Sequence, residues 1–224
     1  MSSFFSKLNL YDFLGYIIPG SLIVLILNSF FENVLDTNFI LNVNDGSIVE
    51  TTSFIILSYF IGILMHELSQ IIEKYFLKKI WGGFPSERFL LDNDEKYSEE
   101  FKNELKKVIE SKYNIKLNNT RKKNQEAFNL IYSKVQKLDG NDKIQLFNTI
   151  YGMCRSLFSG VIVSSVFYII KFFIEYGENN MVNMTYIMLF VSASYLLYRR
   201  STRFSKRFAD YVYRDFYNYY KENI

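Results

Sequence analysis

Apolar and charged residues segregate along this chain into long blocks. Four apolar runs stand out, at 13–31, 54–72, 157–174 and 181–198. A helix that crosses a bilayer needs about 20 mostly apolar residues, within a range of roughly 17–25. Each run meets or nearly meets that length, so the pattern predicts four transmembrane helices arranged as two pairs. Pro19-Gly20 falls about one third of the way into the first run. Proline removes an amide donor and crowds the carbonyl four residues back, at Gly15, so a kink is expected there.

Between the two pairs the period changes from solid apolar to helical. Leu68, Ile71, Ile72, Tyr75 and Phe76 extend span two as an amphipathic helix, which the segment W-G-G-F-P at 81–85 breaks. Ser98 has the place of an N-cap, with Glu99 and Glu100 in the first turn. Phe101, Leu105, Val108, Ile109 and Tyr113 share one helical face. Ala127, Phe128, Ile131, Val135 and Leu138 share another. Gly140 ends that helix, Asn141 or Asp142 caps the next, and Ile144, Phe147, Ile150 and Tyr151 lead into span three. The fold class read from this is all-α: an integral membrane protein whose four transmembrane helices carry a cytoplasmic helical module between spans two and three. The expected parts are a first membrane hairpin at 1–66, the module at 67–155, a second hairpin at 156–200, and a basic aromatic tail at 201–224. In the tail Phe204, Phe208, Tyr211, Val212 and Phe216 fall near one stripe. That stripe suits either the membrane surface or the face of the module.

Charge sets the orientation. The segment 32–52 carries Glu32, Asp36, Asp45 and Glu50 with no Lys or Arg, and the short loop at 175–180 has acids only. Lys74, Lys78 and Lys79 follow span two, and Arg199, Arg200, Arg203, Lys206 and Arg207 follow span four. Lys171 is the exception on the other side, where it is expected to snorkel to the headgroups. The positive-inside rule then predicts an inner (plasma) membrane protein with both termini and the module in the cytoplasm. The head at 1–12, with Phe4, Phe5, Leu8, Leu10 and Tyr11, reads as an amphipathic segment at the interface. Only Lys7 precedes the first run and no small-x-small site follows it, which argues against a cleaved signal peptide.

Composition narrows the picture further. Over 224 residues, 49% are hydrophobic and 22% charged, and mean hydropathy is near zero. The net charge of +3 is too small to indicate a nucleic-acid ligand, and a single cysteine rules out an intrachain disulfide framework.

Candidate chemistry is sparse. His66 is the one histidine, followed by Glu67 in H-E-L-S-Q, where Gln70 replaces the second histidine of a zincin. No metal or other cofactor is expected, and no catalytic residues. Ser69, Ser86, Ser156 and Ser159 lack a nucleophile-elbow context. Asp92, Asp94 and Glu95 read as a solvated turn. Trp81, Gly82, Gly83, Pro85, Ser86 and Arg88 form either a turn beneath the membrane or a contact surface. In the turn reading, Ser86 caps a short helix and Trp81 sits at the headgroups. Two small-xxx-small pairs, Ser58 with Gly62 and Gly160 with Ser164, have the spacing for close helix packing. The second pair is the favoured contact between copies, the alternative being that both pairs pack the four spans within one chain.

Three segments, Y-D-F-L-G-Y-I-I-P-G at 11–20, W-G-G-F-P-S at 81–86 and F-N-T-I-Y-G-M-C-R-S-L at 147–157, resemble a family of poorly characterised bacterial four-span membrane proteins. The last segment adds Arg155 to the candidate residues. The architecture is similar to membrane components of antiphage systems such as KwaA of the Kiwa system. The absence of catalytic residues and the unbroken helices from the module into spans two and three point to a non-enzymatic bacterial sensor or effector, changing membrane integrity or signalling through an oligomeric span bundle, and the architectural likeness points to antiphage defence as its setting. Its expected partners are membrane lipid, further copies of itself and a cytosolic protein, with nucleic acid not expected as a direct ligand. The alternative is a passive anchor or scaffold that recruits a cytosolic partner. An intramembrane enzyme using His66 and Glu67 is a third, minor reading.

Overall fold

The computed structural model describes residues 10–35, 48–138, 142–174 and 180–222. The expectations for the head at 1–9, most of the acidic segment after Leu35, Gly140 with Asn141, and the loop at 175–179 lie outside the described residues. Among the described residues every element is helical and there is no strand. Four helices are long and apolar enough to cross a membrane. They fall on α1 (Ile18–Leu35) together with the helical residues from Leu10 that lead into it, α2 (Ile48–Ile72), α6 (Asp142–Ile174) and α7 (Asn180–Glu222). Between α2 and α6 lie the short α3 (Pro85–Arg88), then α4 (Glu99–Tyr113) and α5 (Arg121–Val135). The chain divides into two compact units. One holds Met1–Glu73 with Thr149–Thr202, the other Lys74–Asn148 with Arg203–Ile224.

In the first unit, polar positions recur along each span helix at intervals that match a bilayer. The pairs are Asp12 with Glu32, Glu50 with Glu67, Arg155 with Lys171, and Asn183 with Arg199. No Asp, Glu, Lys or Arg lies between the members of any pair. The intervals of about 16–20 residues correspond to roughly 24–30 Å of helix, close to the hydrocarbon thickness of about 30 Å. The stretch ahead of Pro19 widens into a π-helical turn, Phe13–Ile17, in which the Ile18 amide donates five residues back to the Phe13 carbonyl. Proline offers no donor for the Gly15 carbonyl, and the wider turn absorbs the misfit. Lys171 does not snorkel outward as its position suggested. Its side chain is buried in the unit.

Small residues set the closest approach. Gly20 faces the backbone of Ser58 and Gly62, and Gly62 faces the backbone of Tyr16, so a methyl at either glycine would fall onto main-chain atoms. The Ser58–Gly62 pair therefore joins α2 to α1 within one chain. The Gly160–Ser164 pair, expected between copies, is also internal. A methyl at Gly160 would meet Ile23 Cδ1 at 2.5 Å, and Ser164 is buried with its hydroxyl donating to the Gly160 carbonyl at 2.9 Å.

The second unit has its own aromatic-rich core. Leu105 and Ile109 from α4 meet Ala127, Phe128, Ile131 and Val135 from α5, Ile144 from α6, and Ala209, Val212, Tyr213 and Phe216 from α7. The tail therefore packs on the helical module, which settles the choice its stripe left open. Ser98 caps α4 by accepting from the Phe101 amide at 3.3 Å, and Thr120 caps α5 by accepting from the Lys123 amide at 3.5 Å. The Tyr97 hydroxyl donates to Asp210 at 2.8 Å. Burial first, and the neighbouring Asp210 carboxylate second, hold that phenol protonated above the usual tyrosine range.

Gly20→Ala and Gly62→Ala should each destabilise the first unit by about 1–3 kcal/mol, because each added methyl pushes backbone against backbone. Gly15→Ala is the control, since its methyl would meet only the Tyr11 ring at an ordinary 3.6 Å. Thermal unfolding of the three variants in mild detergent should separate Gly15→Ala from the other two.

Candidate functional site

Four ionisable or polar side chains of the first unit meet where the chain of α2 ends in a second π-helical turn, Glu73–Leu77. Glu73, from that turn, accepts a hydrogen bond from Arg155 Nη1 of α6 at 2.6 Å. Arg155 Nη2 lies 3.2 Å from His66 Nε2 of α2. His66 Nδ1 lies 3.2 Å from Ser156 Oγ of α6. Glu73, His66 and Ser156 are all buried, and the Arg155 side chain is 13% exposed.

The chemistry of the four groups fixes the direction of the hydrogen bonds. A guanidinium is a donor only, so His66 Nε2 presents its lone pair to Arg155. The ring proton then sits on Nδ1 and is donated to Ser156 Oγ. This tautomer is the reverse of what nucleophilic catalysis needs, where the imidazole takes a proton from the serine. The arrangement joins α2 to α6 through a carboxylate, a guanidinium, an imidazole and a hydroxyl in sequence. Ser159 strengthens the join, its hydroxyl 2.7 Å from the Met65 carbonyl and 2.8 Å from the Ser156 carbonyl.

Aromatic rings wall in the imidazole. Tyr16 and Tyr11 stand edge-on to it, with ring centroids 5.3 and 6.2 Å away, and Tyr59 packs edge-on against Tyr16. Gly152 faces both rings across α6, where a side chain would approach the Tyr11 hydroxyl at 3.5 Å and His66 Cε1 at 3.8 Å. The Arg155 guanidinium also lies over the Tyr151 ring at 5.2 Å. One oxygen of Glu73 and the Nε of Arg155 remain buried without a partner among the described residues.

Of the residues singled out from the sequence, His66 and Arg155 come together here. Glu67 does not. It points outward from α2, where it accepts from Gln70 at 3.2 Å. Glu73, Ser156, Tyr11, Tyr16 and Gly152 join a site that sequence reasoning did not assemble. Their signal was positional: Tyr11, Tyr16, Gly152 and Ser156 all sit in the segments that carried the family resemblance.

The segment at 81–88 belongs to the second unit and is tied down internally. Gly82 and Gly83 take φ of 66° and 113°, which glycine alone adopts easily. Their amides return to the carbonyls of Lys79 and Lys78 and close the preceding helix. Pro85 opens α3, and Ser86 is not its cap. The Ser86 hydroxyl donates to Gln125 at 3.3 Å, and its carbonyl accepts from Tyr213 at 2.8 Å. Arg88 donates to the Trp81 carbonyl and, through Nε and Nη2, to Asp94 Oδ2 at 3.1 and 2.9 Å. Asp92 and Glu95 are exposed, as a solvated turn requires, whereas Asp94 is buried and ion-paired. Trp81 is buried rather than laid out at the headgroups. Among the described residues no group of three or more His, Cys, Asp or Glu side chains gathers as a metal site. Comparison with protein-family models, curated proteins and solved structures gave no match for the chain.

Breaking the buried pair from one side should be far worse than removing both partners. Glu73→Leu or Arg155→Leu alone should cost about 3–5 kcal/mol, since each leaves a buried charge uncompensated. The double variant Glu73→Leu/Arg155→Leu should recover most of that loss. The unfolding free energies of the full cycle check it, and simple additivity would mean the two side chains do not pair.

Proposed function

We propose that this is a multi-pass protein of a bacterial inner membrane that acts as a non-enzymatic sensor and effector. The observation that carries the reading is the buried Glu73–Arg155–His66–Ser156 chain. Ionisable groups placed within span-length helices are costly and are retained for function more often than for stability. This chain ties α2 to α6, and the residues that follow Glu73 and precede Thr149 along the sequence belong to the second unit. A signal received by that unit reaches the spans covalently through these two helices and through α7. The direction of the His66–Ser156 hydrogen bond supports a mechanical role, because it leaves Ser156 without a base.

The charge bias supports a cytoplasmic placement for both termini and for residues 74–148. With Gly160 and Ser164 engaged inside the chain, copies assemble through the outward faces of the spans. The likeness in plan to KwaA of the Kiwa system supports antiphage defence as the setting, with a change of membrane integrity as the output.

The test is uptake of a membrane-potential dye by cells expressing the full chain, with and without phage infection. Infection should depolarise these cells and phage yield should fall, and Arg155→Leu should abolish both effects. Protection that survives replacement of α6 and α7 by unrelated spans would favour the passive anchor instead. Absence of both depolarisation and protection would contradict the proposal.

A further inference from the structure

Within the first unit, Arg155 divides its fork between two acceptors of unequal kind. Nη1 donates to Glu73 Oε2 at 2.6 Å, and Nη2 lies 3.2 Å from His66 Nε2. The other carboxylate oxygen, Glu73 Oε1, is buried with no partner among the described residues. Pairing both arms of a guanidinium with one carboxylate is the stronger arrangement. What holds the second arm on His66 is the lone pair of a neutral ring. A proton on Nε2 removes it, because an imidazolium only donates. Donor would then face donor, and charge would face charge, at the same contact. The groups around the ring offer no remedy. From α6 it meets Arg155 and Ser156, and Ser156 already accepts from Nδ1. From the helical residues ahead of α1 it meets Tyr11 and Tyr16 edge-on. On α2 itself, Ser69 donates to the His66 main-chain carbonyl at 2.6 Å, and Glu67 is exposed. Among the described residues no carboxylate lies within hydrogen-bonding distance of the ring.

We propose that His66, Arg155 and Glu73 form a proton-operated switch with two positions. With the ring neutral, Arg155 spans His66 and Glu73. With a proton on Nε2, Arg155 turns both arms onto Glu73, using Oε1, and the contact between α2 and α6 at His66 parts. The inference rests on the reading above, in which this chain of groups is a mechanical join, and it names the proton as an input to that join. The free carboxylate oxygen makes the second position available without a new partner. Glu73 and Arg155 cancel in charge, so the added proton leaves one net positive charge among buried groups. A charge of that kind is costly unless water reaches it, which couples protonation to parting. The sign follows from the contact itself. The closed join holds the neutral ring, so the proton binds the parted form better and falling pH favours parting.

The experiment titrates the full-length chain in lipid nanodiscs from about pH 8 to about pH 4, which brackets the ordinary imidazole range. One readout is the nitrogen-15 shifts of the single histidine. The other is the distance between spin labels placed by Glu67→Cys on α2 and Leu157→Cys on α6, with Cys154→Ser to remove the native thiol. The neutral-ring signal should give way to an imidazolium signal. At the same midpoint the label distance should lengthen by about 3 Å, room for one water between guanidinium and ring. His66→Gln offers an acceptor that takes no proton, so its label distance should stay constant over the range. Glu73→Gln removes the receiving carboxylate and should move the transition about one unit lower in pH. A distance that changes while the ring stays neutral would overturn the proposal, as would a ring that takes its proton with no change in distance. So would a transition lost in Glu73→Gln and kept in His66→Gln, which would make Glu73 the titrating group. If His66→Gln fails to fold, the two readouts on the chain with His66 intact decide. Dye uptake separates the two levels. Depolarisation on infection by a chain with no acid transition contradicts only the switch, whereas a full acid transition without depolarisation or protection contradicts the sensor and effector reading.

Discussion

The first unit depends on one guanidinium. Arg155 sits between the Glu73 carboxylate and the His66 imidazole, 2.6 Å from one and 3.2 Å from the other. A cation buried among apolar helices is tolerable only when its donors meet acceptors. The surrounding sequence is arranged to supply them. Gly20 and Gly62 bring α1 against α2 at backbone distance, which carries Tyr11 and Tyr16 onto the imidazole. Gly152 leaves space on α6 for the rings of Tyr11 and His66. The π-helical turn at Glu73–Leu77 begins at the residue whose carboxylate Arg155 needs. Such turns occur often at functional sites, and here the turn coincides with the boundary between the two units.

The second unit solves a different problem. Residues 74–148 have amphipathic helices but no complete core, and the missing face comes from the far end of the chain. Ala209, Val212, Tyr213 and Phe216 fill it, and the Tyr97–Asp210 and Tyr213–Ser86 hydrogen bonds fix the register of α7 against the loops. The same helix therefore contributes an apolar, span-length stretch to the first unit and a core face to the second.

Much of the fold was legible in the sequence. The span helices, the cap at Ser98 and the apolar faces of α4 and α5 follow from period and composition, which are local properties. The site was only half legible. His66 stood out by being the one histidine, but its neighbour in sequence, Glu67, turned out to face outward. Its true partners come from α6 and from a π-helical turn that shifts the helical register, and no 3.6-residue pattern predicts that shift. Small-residue spacing was equally ambiguous. Gly160 and Ser164 have the pattern of a contact between copies, yet Ile23 of the same chain occupies the space. Polar groups misled in the other direction: Lys171 read as snorkelling to the headgroups and Asp94 as solvated, and both are buried, because tertiary partners and not local composition decide burial.

The central claim is that Arg155 holds His66 as a neutral imidazole with its proton on Nδ1. The chain has a single histidine, so histidine labelled with nitrogen-15 gives one side-chain signal pair without assignment. Nitrogen shifts of the full-length protein in lipid at neutral pH should show a protonated Nδ1 and a non-protonated Nε2, and Arg155→Leu should remove that tautomer preference. A charged imidazolium, or a ring carrying its proton on Nε2 in the wild-type chain, would contradict the account.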